Sequence, residues 1–445
     1  MLFQKFAHKH VRAINFGIVP KVVAFVLAMS LSVHVSAAEA PLTLAEALRL
    51  AVERSRSLPA KDYAALASRE MAVAAGQLPD PVLTAGVENL PVNGADRFSL
   101  TSDFMTMRSI GVMQEFTGSD KRHWRSKRYS REAERSEAEK NEVLASIQRE
   151  TALAWLGRYY AEAMAKVVAE EGTQAKLEIK AAEGNYRAGQ SSQTDVISSR
   201  SGLKAFDNRV SEAERRVRNA KITLVRWIGS DSNNSLASLP ETDSIRLDLA
   251  NLENHIAHHP SIIAFTKKVE VAEAEANLAQ ANKKADWSVG VMYQQRGPAF
   301  SNMASINVSI PLQWDRANRQ DRELSAKLAM VEEAKAERDE LLRTHVAEVR
   351  VMISEWENNR ERIARYERDL IPLAQQRTLA SIAAYRGGKT ALSDVLNARR
   401  NEIDMRLEAL QLQTDTAQLW AKLNYLFPDD SLVANSTVSI NRINK

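Results

Sequence analysis

Three groups of side chains have the types and spacing to do chemistry. His255 and His259, with His258 between them, stand four residues apart, the spacing at which one helix face offers two imidazoles to a metal ion. Pro260 follows directly and no cysteine lies nearby, so a solvated helix end is the better reading. Met105, Met107 and Met113 carry thioethers soft enough for Cu(I) or Ag(I), but they lie in or beside a strand-like stretch and read as packing residues. Asp195 and Asp394 each follow a glycine-bearing turn, where an aspartate ordinarily caps the next helix. Asn397 lies three residues beyond Asp394, on the same helical face. No phosphate loop, dinucleotide fingerprint, His-Glu-x-x-His pair or nucleophile elbow occurs, so no enzymatic activity, bound metal or cofactor is expected.

The two aspartates belong to a repeat. The segment from Tyr186 to Arg200 recurs from Tyr385 to Arg399 at a constant offset, with Tyr186 on Tyr385, Gly189 on Gly388 and Asp195 on Asp394. Upstream, Ser109-Ile110-Gly111-Val112 echoes Ser305-Ile306-Asn307-Val308. A period of about 200 residues marks a duplicated domain, since solenoid repeats run about 20–50. The halves are expected at 41–240 and 241–428, with a polar tail over 429–445.

Each half reads in the same order. Short Ala-rich helices (44–75 and 250–285) precede two stretches of period-two alternation, a hairpin over 82–116 and another over 287–312. A long charged helix follows in each half, roughly 120–185 and 317–386. Leu342, Val349, Trp356, Ile363 and Leu370 recur at intervals of seven, which implies coiled-coil packing. After the glycine turns, returning helices run to Trp227 and to Phe427. Gly172 and Pro372 fall at equivalent points of the two long helices, a candidate pair of hinges.

Residues 1–37 differ from the rest. Lys5, Lys9, Arg12 and Lys21 precede an apolar run from Val22 to Val35 and then Ser36-Ala37-Ala38, the pattern of a secretory signal peptide. The whole chain has 60 Lys+Arg and 56 Asp+Glu; with four of the basic residues in this segment, the remainder holds 56 of each sign. A neutral mature chain with no basic block argues against a nucleic-acid partner. The chain has no cysteine, which excludes disulfides, thiol catalysis and a lipid-bearing N-terminal cysteine.

Four strands of lipid-spanning length cannot close a barrel, since the smallest need about eight. An open sheet edge in lipid leaves backbone groups unpaired, so several copies must pool their strands; three would supply twelve. The alternative is a soluble sheet capping a helical bundle.

The Pro41–Leu48 opening, the Leu78-Pro79-Asp80-Pro81 approach to the first strand and the doubled Tyr-x-x-Gly-x-x-x-x-x-Asp-Val turn resemble TolC-type outer-membrane efflux proteins. Stretches around Pro79–Pro91 and Met105–Arg122 resemble the heavy-metal branch of that family, the CusC- and CzcC-like proteins. The resemblance implies a mainly α fold with a membrane β-barrel portion, built as a homotrimer. A 12-stranded outer-membrane β-barrel would continue into a periplasmic α-helical barrel. It implies outer-membrane lipid around the barrel, an inner-membrane RND transporter and a periplasmic adaptor as partners, and passive conduction of cargo, with heavy-metal cations the first expectation. Drug efflux or type I secretion keeps the same fold; a periplasmic coiled-coil adaptor or scaffold is the remaining alternative. The resemblance also places Asp195, Asp394 and Asn397 at the periplasmic aperture, beside the tip turns that hold Tyr186, Gly189, Tyr385 and Gly388. Rings of carboxylate across such a mouth would favour cations. Some members carry a basic latch residue just before the second aspartate, where this chain has Lys389 and Thr390.

Overall fold

In the computed structural model, residues 40–189, 192–229 and 234–429 are described, and they belong to the compact unit that starts at Pro41. The expected signal peptide, 1–37, lies outside the described residues. Asp429 belongs to the folded body rather than the tail. Its backbone N–H donates to the Gln148 carboxamide oxygen at 2.8 Å, and its carboxylate meets Arg246 at 2.6 Å.

The two halves follow one plan. In the first, α1 (Leu44–Arg54) and α2 (Ser57–Ala75) lead into β1 (Val82–Glu88) and β2 (Met107–Phe116). Thr43 caps α1 by accepting the Glu46 N–H, as the Thr-x-x-Glu spacing requires. Then come α3 (Ser119–Arg187) and α4 (Gln193–Ile228). In the second half, α5 (Leu252–Ala257) and α6 (Pro260–Asn282) precede β3 (Trp287–Gln295) and β4 (Met303–Ser309). The long helix is α7 (Gln320–Arg365), a π-turn (Tyr366–Leu370) and α8 (Ile371–Arg386), and α9 (Leu392–Asn424) returns. At about 1.5 Å per residue, the 69 residues of α3 span on the order of 100 Å.

The expected second long helix is interrupted. Pro372 cannot donate to the carbonyl a turn earlier, and the π-turn directly before it absorbs that missing bond. The extra residue rotates the seam. Val346, Val349 and Trp356 are buried on the expected heptad, but Leu370 is 40% exposed, and the buried line resumes at Ala374 and Thr378. No matching break occurs at Gly172, where α3 runs straight through.

The core lies where both halves converge. Leu42, Leu48, Trp155, Leu156, Leu224, Val349, Trp420 and Leu423 are among its buried side chains. Two of its indoles find acceptors: Trp155 Nε1 donates to the Leu42 carbonyl at 3.2 Å and Trp420 Nε1 to the Ser244 carbonyl at 2.9 Å. The histidine cluster sits at its rim: His258 is exposed, as the sequence suggests for a solvated helix end, but His259 is not. His259 is buried and caps α6 through Nδ1, which accepts the Ser261 N–H; its ring lies 4.9 Å from that of His345, and His255 stacks on Phe427. The imidazole serves one of the N–H groups that the start of α6 leaves without an intrahelical partner, while Pro260 at the first helical position has none to satisfy.

Burial, with smaller contributions from the charges of His345 and Arg149, lowers the His259 pKa to about 4. Between about pH 6.5, where an unfolded imidazole titrates, and pH 4, the unfolded chain therefore binds the extra proton. The His259 contribution to stability is predicted to fall as pH drops through that window, by about 3 kcal/mol at most, and to level off below it. Thermal melts of the wild type and His259→Asn across pH 4–7 check this; the variant should lose most of the slope.

Candidate functional site

The sheet is one antiparallel layer in the order β1-β2-β3-β4, and β2–β3 joins the two halves. Its register sorts side chains onto two faces. Leu83, Val112, Val291 and Ile306 lie in one row, Ala85, Ile110, Tyr293 and Ala304 in another on the same side, Gln114, Val289 and Val308 in a third, and Val87, Arg108 and Gln295 in a fourth. The opposite face carries Thr84, Gly111, Met292 and Ser305, then Gly86, Ser109, Gln294 and Met303, then Val82, Met113, Gly290 and Asn307. The centre of one face is therefore apolar, while the other mixes glycines and small polar residues with Val82, Met113, Met292 and Met303; the side-chain period of two sorts them.

No helix packs on either face among the described residues. Ile306 is 75% exposed, Leu83 67% and Val308 62%. An apolar face of this extent left bare is a surface made for another apolar phase or another chain. No helix among the described residues is long and apolar enough to cross a membrane.

The base of the sheet is clasped between the halves. Asp286, the residue before β3, accepts the Gly118 N–H at 2.9 Å and the Lys121 ammonium at 2.7 Å, with Lys121 buried. Lys284 returns the contact to Asp120 at 2.5 Å, and Phe116 stacks on Trp287 at 4.5 Å. Gly111 is obligatory here: a Cβ would stand 2.8 Å from the Val291 carbonyl oxygen. The sequence gives no local sign of this clasp, which only long-range strand pairing creates.

At the far end of the helices the expected turns are present. Gly189 and Gly388 adopt φ of 74° and 67°, the left-handed conformation that ends a helix cheaply only at glycine. Their N–H groups donate to the Tyr186 and Tyr385 carbonyls, both at 2.9 Å. The turns are fastened differently. Glu183 meets Arg200 at 3.2 Å in the first half, while Leu392, Val395 and Leu396 pack with Ile382 and Tyr385 in the second.

Asp394 is the third residue of α9, and Ala391, not Asp394, is the N-cap, with no side-chain capping bond. Capping therefore does not explain this carboxylate. Asp394 and Asn397 are both exposed, on the side of α9 away from the buried Leu392 and Val395. Asp195 takes the matching third position of α4; its side chain lies outside the described residues. Gly172 has open surroundings, with Val210 Cγ2 at 4.0 Å from its would-be Cβ, and Pro372 is held through its π-turn, where Glu367 and Tyr366 bond Gln413 and Glu408 of α9 at 2.9 and 3.0 Å.

The remaining ligand candidates do not converge. Met107 and Met113 share a face of β2 but stand six residues apart, on the order of 20 Å. Among the described residues no three His, Cys, Asp or Glu side chains are grouped to hold a metal.

Against known proteins, the second half decides the comparison. Residues 251–427 match the outer membrane efflux protein family. The whole fold agrees with solved channels. The chain is similar to the outer-membrane channel OprN, at 16% identity and a TM-score of 0.73 over 87% of this chain and 90% of that one. It is similar to CusC (14%, 0.71, over 87% and 92%) and to the Campylobacter jejuni outer-membrane channel CmeC (14%, 0.68, over 88% of each). No curated protein matches the sequence significantly. The chain thus has the fold of outer-membrane efflux channels.

Asp394→Ala removes no side-chain bond, so its stability cost is predicted to stay below about 1 kcal/mol, the helix-dipole scale. Leu392→Ala, which empties the turn's apolar cluster, should cost about 2–5 kcal/mol. Thermal denaturation of both variants makes the comparison.

Proposed function

We propose that this chain is the outer-membrane exit duct of a tripartite efflux system. It works as a homotrimer in which twelve pooled strands form a barrel and the long helices continue it into the periplasm. The observation that carries this reading is the bare two-faced sheet. Its apolar face suits lipid, its polar face suits a water-filled lumen, and its two open edges, β1 and β4, cannot be left unpaired in lipid. The efflux-family match over the second half and the channel fold support it.

The turns that hold Tyr186, Gly189, Tyr385 and Gly388 are then the periplasmic tip. Asp195, Asp394 and Asn397 line its mouth, and three copies set six carboxylates around it. Opening would draw on the discontinuity before Pro372, with Gly172 opposite it as a softer point. The inner-membrane RND transporter and periplasmic adaptor supply cargo and drive. Heavy-metal cations are the proposed cargo, on the resemblance of residues 79–122 to the heavy-metal branch. A passive duct has no use for a tight metal site, since strong binding slows exit.

Purified trimer in a planar bilayer is predicted to conduct ions with a preference for cations. Replacing both aspartates (Asp195→Ala with Asp394→Ala) should lower that preference or raise basal conductance several-fold. A chain that stays soluble without detergent and conducts nothing refutes the duct.

A further inference from the structure

The duplication fixes more than the number of strands. Placing Asp80 on Asp286 and Ile110 on Ile306 carries the first hairpin onto the second without a slip: the pair Leu83–Val112 lands on Val289–Val308, and Ala85–Ile110 lands on Val291–Ile306. The two hairpins therefore share one internal register. The β2–β3 junction inside the chain is the only example, among the described residues, of one hairpin joined to the next.

We infer that β4 of one copy pairs antiparallel with β1 of a second copy in the register that β2–β3 dictates: Val308 opposite Ala85, Ile306 opposite Val87, Ser309 opposite Thr84 and Asn307 opposite Gly86. This rests on the oligomeric duct reading and goes beyond it by assigning the seam residue by residue. Each pair is the image of an observed one. Val112–Val291 becomes Val308–Ala85, and Met113–Gly290 becomes Ser309–Thr84.

Three features that did not enter the construction agree with it. Apolar residues meet apolar ones, and small polar residues meet small polar ones, whereas a one-residue slip would exchange the faces. At the tight point, Gly111 opposite Met292 is replaced by Asn307 opposite Gly86, so one strand still supplies the glycine that lets the other approach. Carried round a ring, the register advances four residues for every four strands. With a rise near 3.3 Å and a strand spacing near 4.8 Å, that tilts the strands by about 35°, the value for closed barrels.

The clasp at the base has an image too. Asp286 maps to Asp80, which is exposed and makes no hydrogen bond or ion pair within the described residues. Lys121 maps to Ala317, in the turn Trp314–Arg319 that also carries the exposed Arg316. Arg316 makes no salt bridge among the described residues, and in the seam it faces Asp80 of the second copy.

The natural absence of cysteine makes the test direct. Full-length Ser309→Cys/Thr84→Cys should form an inter-copy disulfide on mild oxidation, giving covalent trimers on denaturing gels, while either single variant gives none. The two-residue slips, Ser309→Cys with Val82→Cys or with Gly86→Cys, should link at least tenfold less. Asp80→Arg should lower the temperature at which the trimer dissociates, and adding Arg316→Asp should restore it. A conducting trimer that links through Val82 or Gly86, or through none of the three pairs, overturns the register and leaves the duct standing. Failure of Arg316→Asp to restore the trimer overturns the pairing at the clasp. A folded chain that forms no oligomer overturns both the seam and the duct.

Discussion

Everything in this molecule depends on unpaired backbone at the two edges of a four-stranded sheet. Within the chain, β2 and β3 satisfy both of their sides, while β1 and β4 each present a row of N–H and C=O groups to nothing. In water such edges invite aggregation, and in hydrocarbon each unpaired group costs several kcal/mol. On the proposed duct reading, the apolar face disfavours leaving the sheet in water and the edges disfavour placing one copy alone in lipid. Association removes both penalties at once, so folding of the sheet and assembly are one problem.

The helices answer to that constraint. Each hairpin must descend into a helix at both ends, and the clasp of Lys121 and Gly118 on Asp286 holds the two halves in step where strand becomes helix. Below it, ion pairs such as Lys267 with Glu134 and Lys327 with Glu275 cross between helices. Being partly exposed, these pairs specify alignment more than they stabilise. The stability sits lower, in the convergent core around Trp155 and Trp420, where both halves and the segment from Leu42 meet. The turns between the long helices and the returning helices are fastened by only a few contacts. An exposed carboxylate such as Asp394, free of capping duty, can change its surroundings there at little cost to the fold.

Much of this was legible in the sequence because the duplication supplies its own control. The hairpins, long helices and glycine turns fall within a few residues of expectation, since period-two alternation, charged heptads and left-handed glycines each reflect one local geometry. What escaped was set by tertiary context. The π-turn before Pro372 is a compromise between a missing N–H and a seam that must stay buried, and the heptad simply appeared to continue to Leu370. His259 reads as part of a solvated helix end because a proline follows it and no cysteine lies nearby, yet Phe427 and His345 of α7 pack against its ring. Asp394 looked like a cap because it follows a turn, but the helix begins two residues earlier.

The central claim is that one face of the sheet meets lipid and the other meets water. Single cysteines placed along β3 and β4 of the assembled protein in bilayers test it directly, with a membrane-impermeant thiol reagent and a lipid-phase quencher as paired probes. Met292→Cys, Ser305→Cys and Asn307→Cys are predicted to react with the aqueous reagent, and Val291→Cys, Ile306→Cys and Val308→Cys only with the lipid-phase probe. Equal aqueous reactivity on both faces would contradict the account.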